Sequence, residues 1–185
     1  SMELQPFNPR HAPLVASWIL DTSALRQVAL EGATALSPDL ILRWVEESDH
    51  TFMLLPEPDA LPVAYGELYF PREVAGVWAR RILVDPRFRG RGYGWTVLER
   101  LGLVTHARFG YDHLQLTIDA ANNSALSLLS AMGFATLGQR LHISFDGSER
   151  FQVLDLSATL PFAPYKHRER DTLANESGYG GRKGT

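Results

Sequence analysis

This 185-residue chain lacks cysteine and long apolar runs, and it contains little lysine. The chain has no cysteine, which excludes disulfide bonds, thiolate metal sites and a cysteine nucleophile, and favours a reducing compartment such as the cytoplasm. Only two of its 18 basic residues are lysines, Lys166 and Lys183. No stretch approaches the ~18 apolar residues of a membrane span. The net charge of −3 argues against nucleic-acid binding, which favours a strongly basic face.

The composition indicates a single globular domain, because 45% of the residues are hydrophobic and 21% are charged, and this length suits one core. The apolar patterns stop near Leu160, where Pro161 and Pro164 interrupt regular structure. The last residues are rich in glycine and poor in apolar side chains. We therefore predict one domain over residues 1–160 and a flexible tail over residues 161–185.

Hydrophobic periodicity and turn residues predict the order of the elements. Helices are expected to begin at Asn8-Pro9 and Ser37-Pro38, with a short helix between them over residues 23–31. They are followed by a hairpin (51–55 and 63–70), a strand (77–84), a helix (92–108), a strand (113–118), a helix (122–132) and a second hairpin (134–145 and 150–156) around Asp146-Gly147. This order predicts a mixed α/β domain with at least one parallel crossover.

The segment over residues 85–94 carries the clearest chemical signal. It lies between a predicted strand and a predicted helix, and alternates arginines with glycines: Arg87, Arg89, Gly90, Arg91, Gly92 and Gly94. Glycine lets a backbone approach a ligand closely and adopt positive φ. A helix N-terminus adds unpaired N–H groups and a favourable dipole. Together they predict a cradle for a phosphate group.

This segment does not match two well-known phosphate-binding loops. A dinucleotide-binding loop, as in an oxidoreductase, needs a third glycine where Trp95 stands, and a nucleotide-triphosphate loop needs a lysine after Gly94. A glycine-rich turn that binds nothing is the remaining structural alternative.

Arg87-x-x-Gly90-x-Gly92 resembles the Q/R-x-x-G-x-G/A acetyl-CoA loop of the GNAT N-acetyltransferase superfamily. A second motif of that family is matched downstream by Asn122-x-x-Ala125-x-x-Leu128-x-x-x-x-Gly133-Phe134. The two motifs occur in the family's order, separated by a predicted strand. The resemblance implies a mostly antiparallel sheet of six to seven strands with flanking helices and a splayed parallel pair at the cofactor site.

The resemblance also implies a function: direct transfer of an acetyl group from acetyl-CoA to a primary amine of a small molecule or a protein N-terminus. The residues that it implies for cofactor binding are Leu83, Val84, Arg87, Arg89, Gly90, Arg91, Gly92, Tyr93, Gly94 and Asn122. Asn122 can equally be a plain helix cap. The first helices would line the acceptor pocket, although the spacing of Trp18 and Trp44 also suits a core.

Two catalytic candidates follow from the proton transfers that acetylation requires. Glu67, on a central strand among aromatic residues, is a candidate general base, and the alternative is an ion pair with Arg80 or Arg81. Where the family usually has a tyrosine as general acid, this chain has Leu129. Ser130, or Ser127, is the candidate substitute.

The missing tyrosine supports a second hypothesis, a CoA-binding sensor or regulatory module with the same fold and little catalysis. The six histidines show no metal-ligand spacing, so no metal is expected. Edge pairing through the C-terminal hairpin would give a homodimer. The sequence therefore predicts the cofactor class but not the acceptor.

Overall fold

A computed structural model describes residues 2–20, 37–144 and 147–164. The predicted helix over residues 23–31, Asp146 of the predicted turn and the tail from residue 165 lie outside the described residues. The helices are α1 (Ala12–Ala16), α2 (Pro38–Glu47), α3 (Tyr93–Leu103) and α4 (Asn123–Met132). The strands are β1 (Glu3–Pro6), β2 (His50–Leu55), β3 (Ala64–Tyr69), β4 (Trp78–Val84), β5 (His113–Asp119), β6 (Ala135–Ile143) and β7 (Arg150–Thr159).

The seven strands form one sheet in the order β1-β2-β3-β4-β5-β7-β6. Every neighbouring pair is antiparallel except β4 and β5, which run parallel. Helix α3 forms the crossover between these two strands, as a parallel connection requires. The predicted fold class, a mostly antiparallel mixed sheet with one parallel pair, is confirmed.

Local signals explain three of the helix ends. The Asn8 side chain accepts a hydrogen bond from the Arg10 amide at 3.1 Å, at the start of a short 3₁₀ turn before α1. The Asn122 side chain caps α4 by accepting from the Ala125 amide at 3.2 Å. Helix α4 ends at Gly133, whose φ of 101° favours glycine.

Three details differ from the predicted elements. Strand β1 was not predicted, because four residues of mixed polarity give no periodic signal. Helix α1 ends at Ala16, so Trp18 and Ile19 follow it rather than belong to it. The predicted helix over 92–108 is α-helical only to Leu103 and continues as a π-helix over Val104–Arg108.

Two apolar cores lie on opposite faces of the sheet. The larger core packs α3 and α4 against the central strands. Gly66 of β3 faces this core, and a Cβ there would lie 2.8 Å from Val97 Cγ1, so glycine lets α3 approach the sheet. The smaller core, beneath α1 and α2, consists of Ala12, Val15, Trp18, Ile19, Leu40, Ile41, Trp44, Tyr65 and Leu83.

Packing contacts with the domain continue past residue 160, where the sequence predicted the domain to end. The centres of the Phe162 and Phe134 rings lie 5.8 Å apart, and a Cβ on Gly102 would clash with Phe162 Cε2. The boundary of the domain stays a prediction. Among the described residues, no helix combines the length and the apolar character needed to cross a bilayer.

Candidate cofactor and active site

A buried aspartate anchors the loop between β4 and α3. Asp85 is 1% exposed, and its carboxylate accepts hydrogen bonds from the Arg87 amide at 2.9 Å and the Arg87 guanidinium at 2.9 Å. These bonds cap a 3₁₀ turn over Pro86–Phe88, in which the Phe88 amide donates to the Asp85 carbonyl at 2.9 Å. The chain therefore leaves β4 in a fixed direction before it reaches the glycines.

The glycines give the loop a backbone that other residues rarely adopt. Gly90 and Gly92 both have φ of 81°, and Gly92 is the N-cap of α3. No described residue accepts a hydrogen bond from the backbone N–H groups of Gly90, Arg91, Gly92, Tyr93 or Gly94. Five consecutive donors at the start of a helix are thus available to an anion.

The arginines of the loop differ in what they already bind. Asp85 raises the pKa of Arg87 through hydrogen bonds and charge, so the Arg87 charge is partly neutralised within the loop. Arg91 is exposed, forms no ion pair with a described residue, and its guanidinium lies 5.2 Å from the centre of the Phe88 ring. Arg91 therefore offers the more available charge.

This difference predicts distinct results for two matched substitutions. Arg91→Ala should weaken CoA binding about threefold, as expected for an exposed charge contact, and leave the melting temperature unchanged. Arg87→Ala should weaken binding and also lower the melting temperature, because it leaves the buried Asp85 carboxylate without its cation. Calorimetric titration with CoA and thermal unfolding measure the two effects. Equal melting temperatures for the two variants would contradict the structural role of Arg87.

Beside the loop, the two parallel strands separate. Trp78 and Gln115 are the only paired positions of β4 and β5, whose residues are all described. The Asp85 amide donates to the Val63 carbonyl at 2.9 Å, toward β3. Because amides alternate in direction along a strand, the Val84 amide faces the gap beside β5. The Leu83 amide points toward β3, and its side chain lies in the smaller core. The contact of Leu83 with the cofactor therefore stays a prediction.

Glu67 lies at the centre of a buried polar network on the α2 side of the sheet. Its side chain has no exposed area. One carboxylate oxygen accepts a hydrogen bond from the Tyr65 hydroxyl at 2.5 Å, and the other accepts from Arg81 at 3.1 Å. Arg81 also bonds Glu47 of α2 at 3.1 Å, so the network joins α2 to β3.

A bulge in β4 makes this network possible. Tyr65 pairs with Leu83, and Glu67 pairs with Arg80. Between these two pairs β4 therefore contains one more residue than β3. Arg81 is the extra residue and has φ of 51°. As a result Arg80 also approaches Glu67, with 4.0 Å between Nε and the carboxylate. The predicted ion pair of Glu67 with these arginines is present.

The network shifts the acid–base properties of its members. Burial raises the pKa of Glu67, although the Arg81 charge and the Tyr65 hydrogen bond act in the opposite direction. Burial and the neighbouring carboxylate raise the pKa of the Tyr65 hydroxyl well above its ordinary value. Tyr65 therefore stays protonated at neutral pH, and Glu67 holds its proton to a higher pH than an exposed glutamate.

The remaining predicted residues lie on α4. The Asn122 side-chain oxygen is used by the helix cap, whereas its nitrogen donates to no other described residue. Leu129 is fully buried in the larger core, and Ser130 is exposed. The catalytic role of Ser130 stays a prediction. Within the described residues, no group of three or more histidine or acidic side chains is close enough to hold a metal ion.

Sequence reasoning missed the residues that organise the site rather than carry its motif. The anchoring role of Asp85 had a signal, because aspartate before proline is a frequent cap of a turn. The contact between Glu47 and Arg81 had none, because 34 residues separate them and only the fold brings them together.

Comparisons with known proteins support the family and the fold. Residues 19–134, more than half of the chain, match the model of the acetyltransferase (GNAT) family. Spermidine N-acetyltransferase from Vibrio cholerae, solved with CoA and spermine, superposes with a TM-score of 0.69 at 14% identity, covering 85% of this chain and 95% of that one.

Two further solved structures are of enzymes whose names give ribosomal proteins as substrates. Ribosomal-protein-alanine N-acetyltransferase from Brucella melitensis has a TM-score of 0.66 at 18% identity, over 85% of this chain and 99% of that one. Ribosomal-protein-S18-alanine N-acetyltransferase from Escherichia coli has a TM-score of 0.61 at 20% identity, over 90% of this chain and 99% of that one. At these identities the similarity shows the shared fold. With the family match, it leads to one conclusion: the chain belongs to the GNAT acetyltransferase family, a family of acyltransferases.

Proposed function

We propose that this protein transfers an acetyl group directly from acetyl-CoA to a primary amine of a small molecule or a protein N-terminus. The observation that carries the proposal is a run of five amides, Gly90 to Gly94, which donate to no described residue. They lie at the start of α3 and beside the gap between β4 and β5. Transfer is direct in this proposal because the chain has no cysteine to carry an acetyl group.

The donor set of the loop fits a diphosphate. Five amides and the helix dipole favour an anion, and Arg91 adds charge. We assign the diphosphate of acetyl-CoA to Arg89–Gly94, with Arg87 holding the loop in place, and the pantetheine arm to Val84, Leu83 and Asn122. When bound, acetyl-CoA supplies an activated acyl group as a thioester.

The amine must lose a proton before it attacks. At pH 7 this costs about 4.6 kcal/mol for a lysine-like amine and about 1.4 kcal/mol for an α-amino group. We propose Glu67 as the base that removes this proton. Because the side chains of Glu67 and Tyr65 are both fully buried, a water molecule first takes the amine's proton. The proton then passes to Glu67 either from this water or through the Tyr65 hydroxyl, which takes it as it gives its own to Glu67.

The departing thiolate needs less help. A thiol of pKa ~8.5 is a tolerable leaving group as its anion, so the buried Leu129 does not prevent turnover. We keep Ser130 as the candidate acid, and the Val84 amide as the donor to the oxyanion that forms on the thioester carbonyl.

The sensor hypothesis has one observation in its favour, which is Leu129 at the position of the family's tyrosine. Release of free thiol from acetyl-CoA, measured against a panel of primary amines, separates the two functions. We expect thiol release that depends on the amine, with one acetylated amine formed for each thiol. Tight CoA binding with no amine-dependent release would support the sensor instead.

We also propose that the enzyme works in the reducing cytoplasm, because it has no cysteine that could form a disulfide. We further propose that two copies of the chain form a dimer by pairing through β6. Edge strand β6 exposes Leu137, Leu141 and Ile143 to 64%, 45% and 49%. Antiparallel pairing centred on Gln139 sets Leu137 opposite Leu141 and Ala135 opposite Ile143, so that apolar side chains meet.

Light scattering tests the dimer. The wild type should show twice the 20.6 kDa mass of the chain, and Leu141→Lys should show the monomer mass. Leu103→Lys, at a leucine 57% exposed on α3, is the matched control and should stay dimeric. A monomeric wild type would contradict the proposed pairing.

A further inference from the structure

The arginine at the β4 bulge adopts a backbone conformation that residues with a Cβ rarely take. The φ of Arg81 is 51°. Backbone strain of this kind persists where the surroundings hold the residue in place, and it is often found at functional sites. The contacts of the Arg81 side chain therefore bear on the reaction.

Those contacts fix the Arg81 guanidinium from two directions. Its side chain is only 5% exposed. One terminal nitrogen donates to Glu67 of β3 at 3.1 Å, and the other donates to Glu47 of α2 at 3.1 Å. The guanidinium also lies 4.9 Å from the centre of the Trp44 ring. Arg81 is thus a buried cation in direct contact with the proposed base.

The neighbouring arginine is placed less favourably. The Arg80 side chain is 29% exposed, and its Nε is 4.0 Å from the carboxylate of Glu67. Its guanidinium lies over the ring of Tyr69, 4.3 Å from the ring centre. Because water screens an exposed charge more than a buried one, Arg81 is the stronger counter-charge of Glu67.

The other polar groups that face Glu67 carry no charge at neutral pH. They are the hydroxyl groups of Tyr65, on the same strand, and Ser48, at the end of α2. Hydroxyls can support a carboxylate by hydrogen bonding, but they do not balance its charge. Among the described residues, the charge balance of Glu67 therefore depends mainly on Arg81.

We propose that Arg81 is a positioning residue of the reaction, which keeps the Glu67 carboxylate ionised and thereby able to act as a base. A buried carboxylate that loses its counter-charge takes up a proton. A protonated Glu67 cannot accept another proton from the amine. This inference rests on the proposed function and assigns to Arg81 the pH range in which the base works.

Two neutral substitutions test the proposal. In Arg81→Gln, the fall in kcat toward acidic pH should occur at higher pH than in the wild type. At a fixed pH within this fall, kcat should be about tenfold lower, as expected when a carboxylate loses an adjacent opposite charge. Arg81→Met should behave in the same way, and it provides a second neutral variant should Arg81→Gln not fold.

Two further variants separate charge from structure. Arg80→Gln is the matched control and should change kcat less than threefold at the same pH. Arg81→Lys keeps the cation and, like glutamine, is unbranched at Cβ, so it meets similar strain at the bulge. It should restore kcat to within about threefold of the wild type.

NMR of the ¹³C-labelled glutamate carboxyl groups gives a measurement that needs no activity. The signal of Glu67, assigned by its loss in Glu67→Gln, should titrate at higher pH in the neutral Arg81 variants than in the wild type or in Arg80→Gln. An unchanged titration, or a lysine variant as impaired as the glutamine variant, would overturn the inference while acetyl transfer stands. If no amine stimulates thiol release by the wild type, the proposed function fails, and the role of Arg81 in it fails too.

Discussion

Gly90→Val is expected to weaken CoA binding about 100-fold, the loss of roughly two hydrogen bonds to a charged group. Gly90 has φ of 81° and no heavy atom within 4 Å of the place where a Cβ would stand. The effect of valine is therefore on backbone conformation, because a β-branched residue strongly disfavours positive φ. The loop would relax, and its amides would no longer converge. Titration calorimetry with CoA measures the change.

Gly110 provides a matched control for this substitution. It has φ of 76° and equally open surroundings, and it lies just beyond the π-helix rather than in the loop. Gly110→Val should cost similar stability and leave CoA affinity within about twofold of the wild type, since general strain of this size is local. If both variants bound CoA as well as the wild type, the loop geometry would not matter for the cofactor.

Glu67→Gln is expected to lower kcat at pH 7 about 10²- to 10³-fold, which lies within the usual range for loss of a general base. In the wild type only the carboxylate form accepts the proton, so activity falls as the pH drops through the pKa of Glu67. Burial raises that pKa above the ordinary value of 4.5, so this fall in kcat, the acidic limb of the pH–rate profile, occurs at a higher pH. The pH–rate profile of the variant should lack the acidic limb, and its kcat should recover as the pH approaches the pKa of the amine itself.

Glu47→Gln separates loss of the base from disturbance of the network. Glu47 also bonds Arg81, but its side chain is 47% exposed and it belongs to α2. We expect a less than tenfold change in kcat and an acidic limb of the same shape as in the wild type. A Glu67→Gln variant with unchanged kcat and pH profile would leave Glu67 as a structural partner of Arg81 only.

The sequence was most informative where the signal was local. The caps at Asn8 and Asn122, the glycine stop at Gly133 and the loop glycines each act on neighbouring backbone, so their types and spacing predicted these element ends and the glycine loop before α3. The order of those elements then limited the topology, and the parallel pair of β4 and β5 followed from the helix between them.

The features that the sequence did not predict depend on distant partners. The Glu67 network needs a bulge at Arg81 and a residue of α2, and neither leaves a pattern in the sequence. In our proposal the cofactor is bound by a contiguous loop, which leaves a pattern in the sequence, whereas the acceptor is bound by residues that only the fold brings together.

The amides of residues 90–94 are the basis of the account, and their NMR signals test it most directly. Titration of the ¹⁵N-labelled protein with CoA should shift the amide resonances of Gly90, Arg91, Gly92, Tyr93 and Gly94 together and downfield, as hydrogen bonds to phosphate form. Signals of Gly110 and of β6 should stay in place. CoA binding that leaves the five loop amides unshifted and perturbs another region would contradict the account.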